Sequence, residues 1–282
     1  MSRDPKSFGS ARVVRWARGL AGIVAFLLAA QALGLVIPQT VLPRASTVLV
    51  QVVRLAGNTR FLADAGATLE AWAVGMLLTV LVAVPAGLVL GSLPGVRFAT
   101  RALTEFLRPV PAVALILLVT LLLGSGLRMT VTLIVYGGSW PVLYNTIAGL
   151  DGVDPVALQT MRAFGFGRLA VIRHVSLPSS APFIATGIRI ASSIALILDI
   201  GAGYVTGRLN GPGIGAFIAD VSTGTGDVPL ILAATVWVGF LGLALNALLL
   251  QAERRLLPWH RASLGSAPER AALPAAAAAG AA

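Results

Sequence analysis

Five stretches of this chain, residues 19–37, 71–96, 109–127, 129–150 and 228–251, run for 19 residues or more without a single charge. A helix crossing roughly 30 Å of hydrocarbon needs about 20 mostly apolar residues at 1.5 Å per residue. A sixth stretch, 190–207, holds one charge, Asp199. Only 11% of the 282 residues are charged, against roughly 25% in a soluble domain. The pattern predicts an all-α, polytopic membrane protein with about six transmembrane helices. Residues 46–53, between Arg44 and Arg54, are too few to span. Residues 175–188 are short and interrupted by Pro178 and Pro182, so they read as interfacial chain leading into the fifth helix.

Basic residues set the expected orientation, because Lys and Arg collect on the cytoplasmic side of short loops. With a cytoplasmic N-terminus and six alternating helices, 16 of the 21 basic residues fall inside, and only Arg44, Arg54, Arg60, Arg128 and Arg208 fall outside. Both termini and the stretches near 97–108 and 151–189 are therefore expected in the cytoplasm of a cell-membrane protein. Residues 1–18 form a cytoplasmic tail in this reading and 19–260 the membrane domain. The Ala-rich segment 261–282 cannot bury a core and reads as disordered. The tripeptide Ala30-Gln31-Ala32 could pass for a signal-peptidase site, but the apolar run continues past it, which favours an uncleaved first helix.

Several chemistries are excluded by inventory. No cysteine is present, and His174 and His260 lie far apart, which argues against a metal cluster. The net charge of +10 sits in short gaps between apolar runs, which suits anionic headgroups better than nucleic acid. A phosphate-cradling G-x-x-x-x-G-K-[ST] loop needs a lysine, and the one lysine is Lys6, outside any such motif. No nucleophile–base–acid set is visible for an intramembrane enzyme. A stand-alone channel or ion-coupled carrier would need several intramembrane ionisable groups or paired broken helices. The apolar runs offer only Asp199. Gly87-x-x-x-Gly91 and Gly91-x-x-x-Gly95 predict close helix approach, more naturally within the subunit than across a dimer.

The stretch 151–189 is too long for a plain connection. Asp154-Pro155 reads as a helix start, with Asp as cap and Pro in the first turn. Leu158, Met161 and Phe164 follow at helical spacing, with Gln159, Thr160 and Arg162 among them. Gly165 and Gly167 supply a turn, and a second apolar segment ends at Pro178. A short amphipathic helix of this kind fits either a groove on another protein or the headgroup layer.

Gly165 followed after nine residues by Val175, Ser176, Leu177 and Pro178 resembles the EAA loop of binding-protein-dependent ABC importer permeases, with Gln159-Thr160-Met161 where Glu-Ala-Ala is expected. LRPVPAVALILL (107–118), SWPVLYNTIAGL (139–150), GVDP (152–155) and GPGIGAFI (211–218) are similar to the nitrate, sulfonate and taurine branch of that family. The resemblance spans roughly residues 42–260. It implies a type I importer fold and a permease subunit with no cofactor of its own. ATP and Mg would reside on a separate ATPase subunit. Leu158 through Arg162, Phe164, Gly165, Leu177 and Pro178 would form the ATPase-coupling loop. A second permease subunit, expected as a homodimer, would complete the pathway, and an extracytoplasmic binding protein would deliver a small anion or organic solute such as nitrate, sulfonate or taurine. Related permeases carry a Glu where this chain has Gly203, so Asp199, one turn earlier on the same face, is expected in the bundle interior or, with Gly203, along the pathway. If the solute is an anion, Asp199 in an open pathway would have to be protonated or paired with an arginine such as Arg128 or Arg208.

Overall fold

The computed structural model describes residues 6–38 and 43–259, the side chains of 6–17 and of Asn210 excepted. Among them are eleven α-helices and no strand. They are α1 (Lys6–Val36), α2 (Ala45–Ala56), α3 (Thr59–Ser92), α4 (Pro94–Leu107), α5 (Ile116–Leu123), α6 (Leu127–Asp151), α7 (Pro155–Ala163), α8 (Arg168–Val171), α9 (Leu177–Thr206), α10 (Ile214–Gly224) and α11 (Val228–Leu256). Residues 1–5 and the Ala-rich segment 261–282 lie outside the described residues.

The core is three helices with α6 in the middle, and small residues set their register. On α3, Gly75, Thr79, Gly87 and Gly91 face Ile134, Gly138, Thr146 and Leu150 of α6, each step matching along two parallel helices. A Cβ on Gly75 would lie 2.6 Å from Ile134, and one on Gly87 2.6 Å from Thr146. The backbones therefore approach as only glycine allows. The Gly87 and Gly91 spacing thus serves packing within the subunit. The adjacent face of α6 receives α9 running antiparallel, with Gly149 on Ser180, Gly187 on Pro141, and Gly137 on Leu198, and Gly138 meets both neighbours, through Thr79 of α3 and Ala191 of α9. Met76, Ala83, Ile134, Val142, Ala191, Ala195 and Leu198 are buried together there. A second core, built on Phe61, Phe217, Ala233 and Ala234, joins α2, α3, α10 and α11. Trp237 is used inside it, donating from Nε1 to the Val52 carbonyl at 3.0 Å. Gln31 of α1 accepts from the Ser46 backbone N–H at 3.1 Å, satisfying a donor at the start of α2.

Four helical runs are long and apolar enough to cross a membrane: Arg18–Val36, Thr59–Ser92, Arg168–Leu209 and Val228–Leu256. A bent pair, Pro94–Leu107 with Ala112–Leu123, makes a fifth. α6 has the length of a span, 25 residues, but carries Thr, Ser, Gly and Asn because its neighbours, not lipid, cover it.

Three expectations need correcting. Residues 109–127 are not one helix. Pro109 and Pro111 remove donors, and a residue before proline avoids the α region, so the chain breaks after Leu107 and turns by 75° into the short helices at 112–123. The stretch near 97–108 is accordingly helical, not a loop. Residues 175–188 are helical too. Pro178 falls in the first turn of α9 after a π-helical turn at Ile172–Ser176, and Pro182 is held inside the helix. A first-turn proline needs no N–H, which is why the second apolar segment does not stop there. Finally, α3 begins twelve residues before residue 71, at Thr59, after Asn58 caps it by accepting from the Phe61 N–H at 3.1 Å. Asp199 is therefore not the sole carboxylate in a membrane-crossing helix, since Asp64 and Glu70 lie on α3.

Candidate coupling loop and interior charge cluster

The stretch after α6 folds as helix, turn, helix. Asp154 Oδ1 accepts from the Val156 N–H at 2.8 Å, and Pro155 opens α7. The helix closes with two bonds: Gly165 N–H to the Arg162 carbonyl at 3.0 Å, and Phe166 N–H to the Met161 carbonyl at 3.1 Å. This paired closure requires a left-handed residue at its hinge, and Gly165 has φ +79°. Gly167 is extended, at φ −70°. Phe164 is 78% exposed and Leu169 80% exposed, with Val156 and Phe166 also outside. Leu158 and Met161 are half-buried, while Gln159, Thr160 and Arg162 are exposed. The apolar projection therefore consists of Val156, Phe164, Phe166 and Leu169, of which the helical spacing had singled out only Phe164. Leu177 and Pro178 open α9 and carry the loop directly into the core. At the same end Arg189 of α9 meets Glu253 of α11 at 3.5 Å, tying the base of α9 to the last helix.

Asp199 and Gly203 share a face of α9, as the i, i+4 spacing requires, and that face is turned inward against α10. Asp199 is buried, with the Thr68 hydroxyl at its carboxylate, and its Oδ2 has no hydrogen-bond partner. A Cβ on Gly203 would stand 3.1 Å from the Ala216 backbone N, so α10 occupies the space a Glu side chain would need. In this single subunit neither residue lines an open face. Neither Arg128 nor Arg208 pairs with Asp199. Arg128 is exposed at the start of α6, and Arg208 is engaged elsewhere.

Sequence reasoning missed where Arg208 goes. Its Nη1 and Nη2 donate to the two oxygens of Asp64 at 3.0 and 3.1 Å, and its Nε donates to Asp220 at 2.6 Å. Arg60 adds a second donor to Asp220. Asp64 Oδ1 also accepts from the Gly213 N–H at 3.1 Å, and Thr68 Oγ1 accepts from the Ile214 N–H at 3.1 Å. The first backbone donors of α10 thus find their acceptors on α3, with a carboxylate placed at the positive end of the α10 dipole. Asp64 lies 144 positions from Arg208 in sequence, and no local pattern announces such a pair.

Comparison with known proteins agrees with this architecture. Residues 80–259 match the family described as "Binding-protein-dependent transport system inner membrane component". The nitrate import permease protein NrtB of Leptolyngbya laminosa is 29% identical over 192 residues, covering 68% of this chain and 67% of that protein. The taurine transport system permease protein TauC of Escherichia coli is 27% identical over 225 residues, covering 78% of this chain and 80% of that one. Among solved structures, an inward-facing form of the MetNI methionine ABC transporter superposes with a TM-score of 0.57 at 16% identity, over 70% of this chain and 94% of that chain. The chain belongs to the binding-protein-dependent transport system inner membrane component family: it is a multi-pass membrane permease subunit of an ABC importer.

Proposed function

We propose that this permease couples solute uptake to a separate ATPase through the α7–turn–α8 projection, with ATP and Mg bound on that partner. The observation that carries the reading is the exposed apolar set of Val156, Phe164, Phe166 and Leu169, presented on a capped helix with a fixed glycine hinge. Exposed bulk on a rigid short helix suits a groove on a folded partner. Movement of that projection would pass straight into α9, which follows it without a flexible linker, and through Arg189–Glu253 into α11. Rigid-body rocking of packed helices would then open the pathway to alternate sides. A second copy of the chain would supply the other wall of the pathway, and an extracytoplasmic binding protein would deliver the solute. Relatives named for nitrate import and taurine transport support a small anion or organic solute such as nitrate, sulfonate or taurine as cargo.

Two measurements test this reading. In proteoliposomes holding the chain with an ATPase subunit and a binding protein recovered with it, uptake is expected only with Mg and ATP. Uptake without nucleotide would instead favour a stand-alone carrier. Screening the binding protein is expected to select nitrate or sulfonates, and selection of a quaternary ammonium solute would overturn the cargo class.

The proposed orientation puts both termini and the coupling loop in the cytoplasm. The chain has no native cysteine, so single cysteines read this cleanly. In intact cells an impermeant maleimide is expected to label a cysteine replacing Thr225, beyond α10, and to spare one replacing Gln159. The reverse pattern would invert the topology.

A further inference from the structure

α4 is held between two joints and has no buried residue of its own. Before it, Leu93 is extended, at φ −121° and ψ 91°, so α3 does not run on into α4. After it, Pro109 and Pro111 end the helix, and the chain turns by 75° into the helices at 112–123. The sides of α4 are inverted relative to a helix laid on an apolar core. Phe98, Leu103 and Phe106 stand exposed on the outer side. Arg97, Thr100, Arg101, Thr104 and Glu105 line a cavity of about 360 Å³ shared with α3 and α6. Charged side chains in a membrane domain turn toward water or the bundle interior, so the space behind α4 is aqueous.

The polar side of α4 makes few bonds across that space. Arg101 donates to Glu105 at 2.7 Å, and the Thr100 and Thr104 hydroxyls donate to the Val96 and Arg101 carbonyls, all within α4. Among the described residues two hydrogen-bonded ties to α6 remain, one at each end. The Tyr136 hydroxyl donates to the Leu107 carbonyl at 2.9 Å, beside the proline joint. At the other end Arg97 donates to both oxygens of Asp151, at 2.9 and 3.0 Å. Two parallel bonds define the geometry of this pair. Both side chains are about half exposed, so the pair can break and re-form.

Asp151 is the last residue of α6, and Asp154, three positions on, caps α7. The connection between them is taut: Val153 is buried, and its N–H donates to the Leu150 carbonyl at 3.2 Å. A displacement of α7 is therefore delivered to Asp151 and, through Arg97, to the near end of α4.

We propose that α4 is a hinged flap over an aqueous vestibule, and that Arg97 positions it by tying it to the base of the α7–turn–α8 projection. This rests on the coupling role of that projection. When the ATPase moves the projection, Asp151 draws or releases the Arg97 end of α4. The helix then swings about the Pro109–Pro111 joint and closes or uncovers the space against α6.

The test uses the full-length chain in nanodiscs with its ATPase subunit. Ile147 is 6% exposed on the α6 wall of the cavity. The rate at which an impermeant maleimide labels Ile147→Cys is followed with and without Mg and a non-hydrolysable ATP analogue. A change of about fivefold or more is expected, the size of a typical coupling between sites. Arg97→Gln and Asp151→Asn are expected to remove the nucleotide dependence while the ATPase still co-purifies. Exchanging the charges, Arg97→Asp with Asp151→Arg, is expected to restore it, and Arg97→Lys to keep part of it. A merely structural role would not produce a nucleotide response that follows the pairing. Thr104→Cys, on the inner side of α4, gives the same reading should Ile147→Cys fail to assemble. Labelling that ignores nucleotide in the parent chain while the ATPase stays bound, or a response that survives Arg97→Gln, would overturn the flap and leave the coupling role standing. The coupling role is read separately from Phe164→Asp, where an intact nucleotide response would remove the projection and the Arg97 link with it.

Discussion

Phe164→Asp is expected to abolish ATP-driven uptake while leaving the protein at normal levels in the membrane. The side chain is 78% exposed, so the fold does not depend on it, and a surface substitution away from packed features typically shifts stability by about 0.5 kcal/mol or less. If the projection seats in an apolar groove of the ATPase, a carboxylate at its tip would be buried without a partner, which costs several kcal/mol. That is enough to empty the interface. Gly165→Val attacks the same device from the backbone. At φ +79° a non-glycine residue costs roughly 1–2 kcal/mol, more when β-branched. The cheaper outcome is to give up the hinge and rotate Phe164 and Leu169 relative to each other. Uptake should fall to background in both variants, and co-purification of the ATPase should fall with it. Normal uptake with normal co-purification would remove this loop from the coupling role. Leu169→Asp separates docking from hinge strain, because it leaves the α7 closure untouched and should reproduce the loss.

The helix–turn–helix that follows α6 was legible because its signals are local. Asp-Pro opening a helix, apolar residues at helical spacing and a glycine after the last turn each act within a few residues. What spacing could not assign was which apolar residues stay exposed. Leu158 and Met161 satisfy the period yet are half-covered, while Val156 and Leu169 lie outside it. Apolar run length found the membrane helices but treated 109–127 as one of them. Pro109 and Pro111 already contradicted that reading, and steric rules outweigh hydropathy at such a point. Run length also started α3 at residue 71, because charges at 60, 64 and 70 resemble a loop. Within the structure Arg60 and Asp64 are matched by residues more than a hundred positions away, and pairing of this kind is invisible until the helices are assembled. Asp199 was the reverse case. Its position in an apolar run was plain, but the sequence left interior and pathway open. Within the single subunit Asp199 is buried, and the close approach of Gly203 and Gly215 on α9 and α10 covers the same face one turn on.

Asp64→Ala is expected to be the most destabilising single substitution in the α10 end of the bundle. Asp64 is 1% exposed and holds three donors, two from Arg208 and one from the Gly213 backbone. Removing it strands both kinds. Breaking a buried ion pair by deleting one partner costs about 3–5 kcal/mol. The low end applies here, because Arg208 is partly exposed and keeps Asp220. The Gly213 N–H loses its acceptor as well, a cost of about 1–3 kcal/mol when buried, and the N-terminus of α10 loses a favourable charge. Ile214 N–H keeps Thr68, so the expected outcome is detachment of α10 and its preceding loop rather than loss of the α3–α6–α9 core. The measurement is a thermal unfolding curve in detergent together with cysteine accessibility at Ala216, which is 1% exposed in the intact protein. A lower midpoint with Ala216→Cys newly reactive, while a cysteine at Ala195 stays protected, is the expected result. Asp64→Asn should be milder, since the amide oxygen can still accept from Gly213. Pairing Asp64→Leu with Arg208→Met removes both charges and should recover much of the midpoint, as matched apolar replacement of buried pairs often does. An unchanged midpoint for Asp64→Ala would mean that solvent and Asp220 compensate Arg208 fully, and that α10 is held by the packing of Gly203 and Gly215 alone.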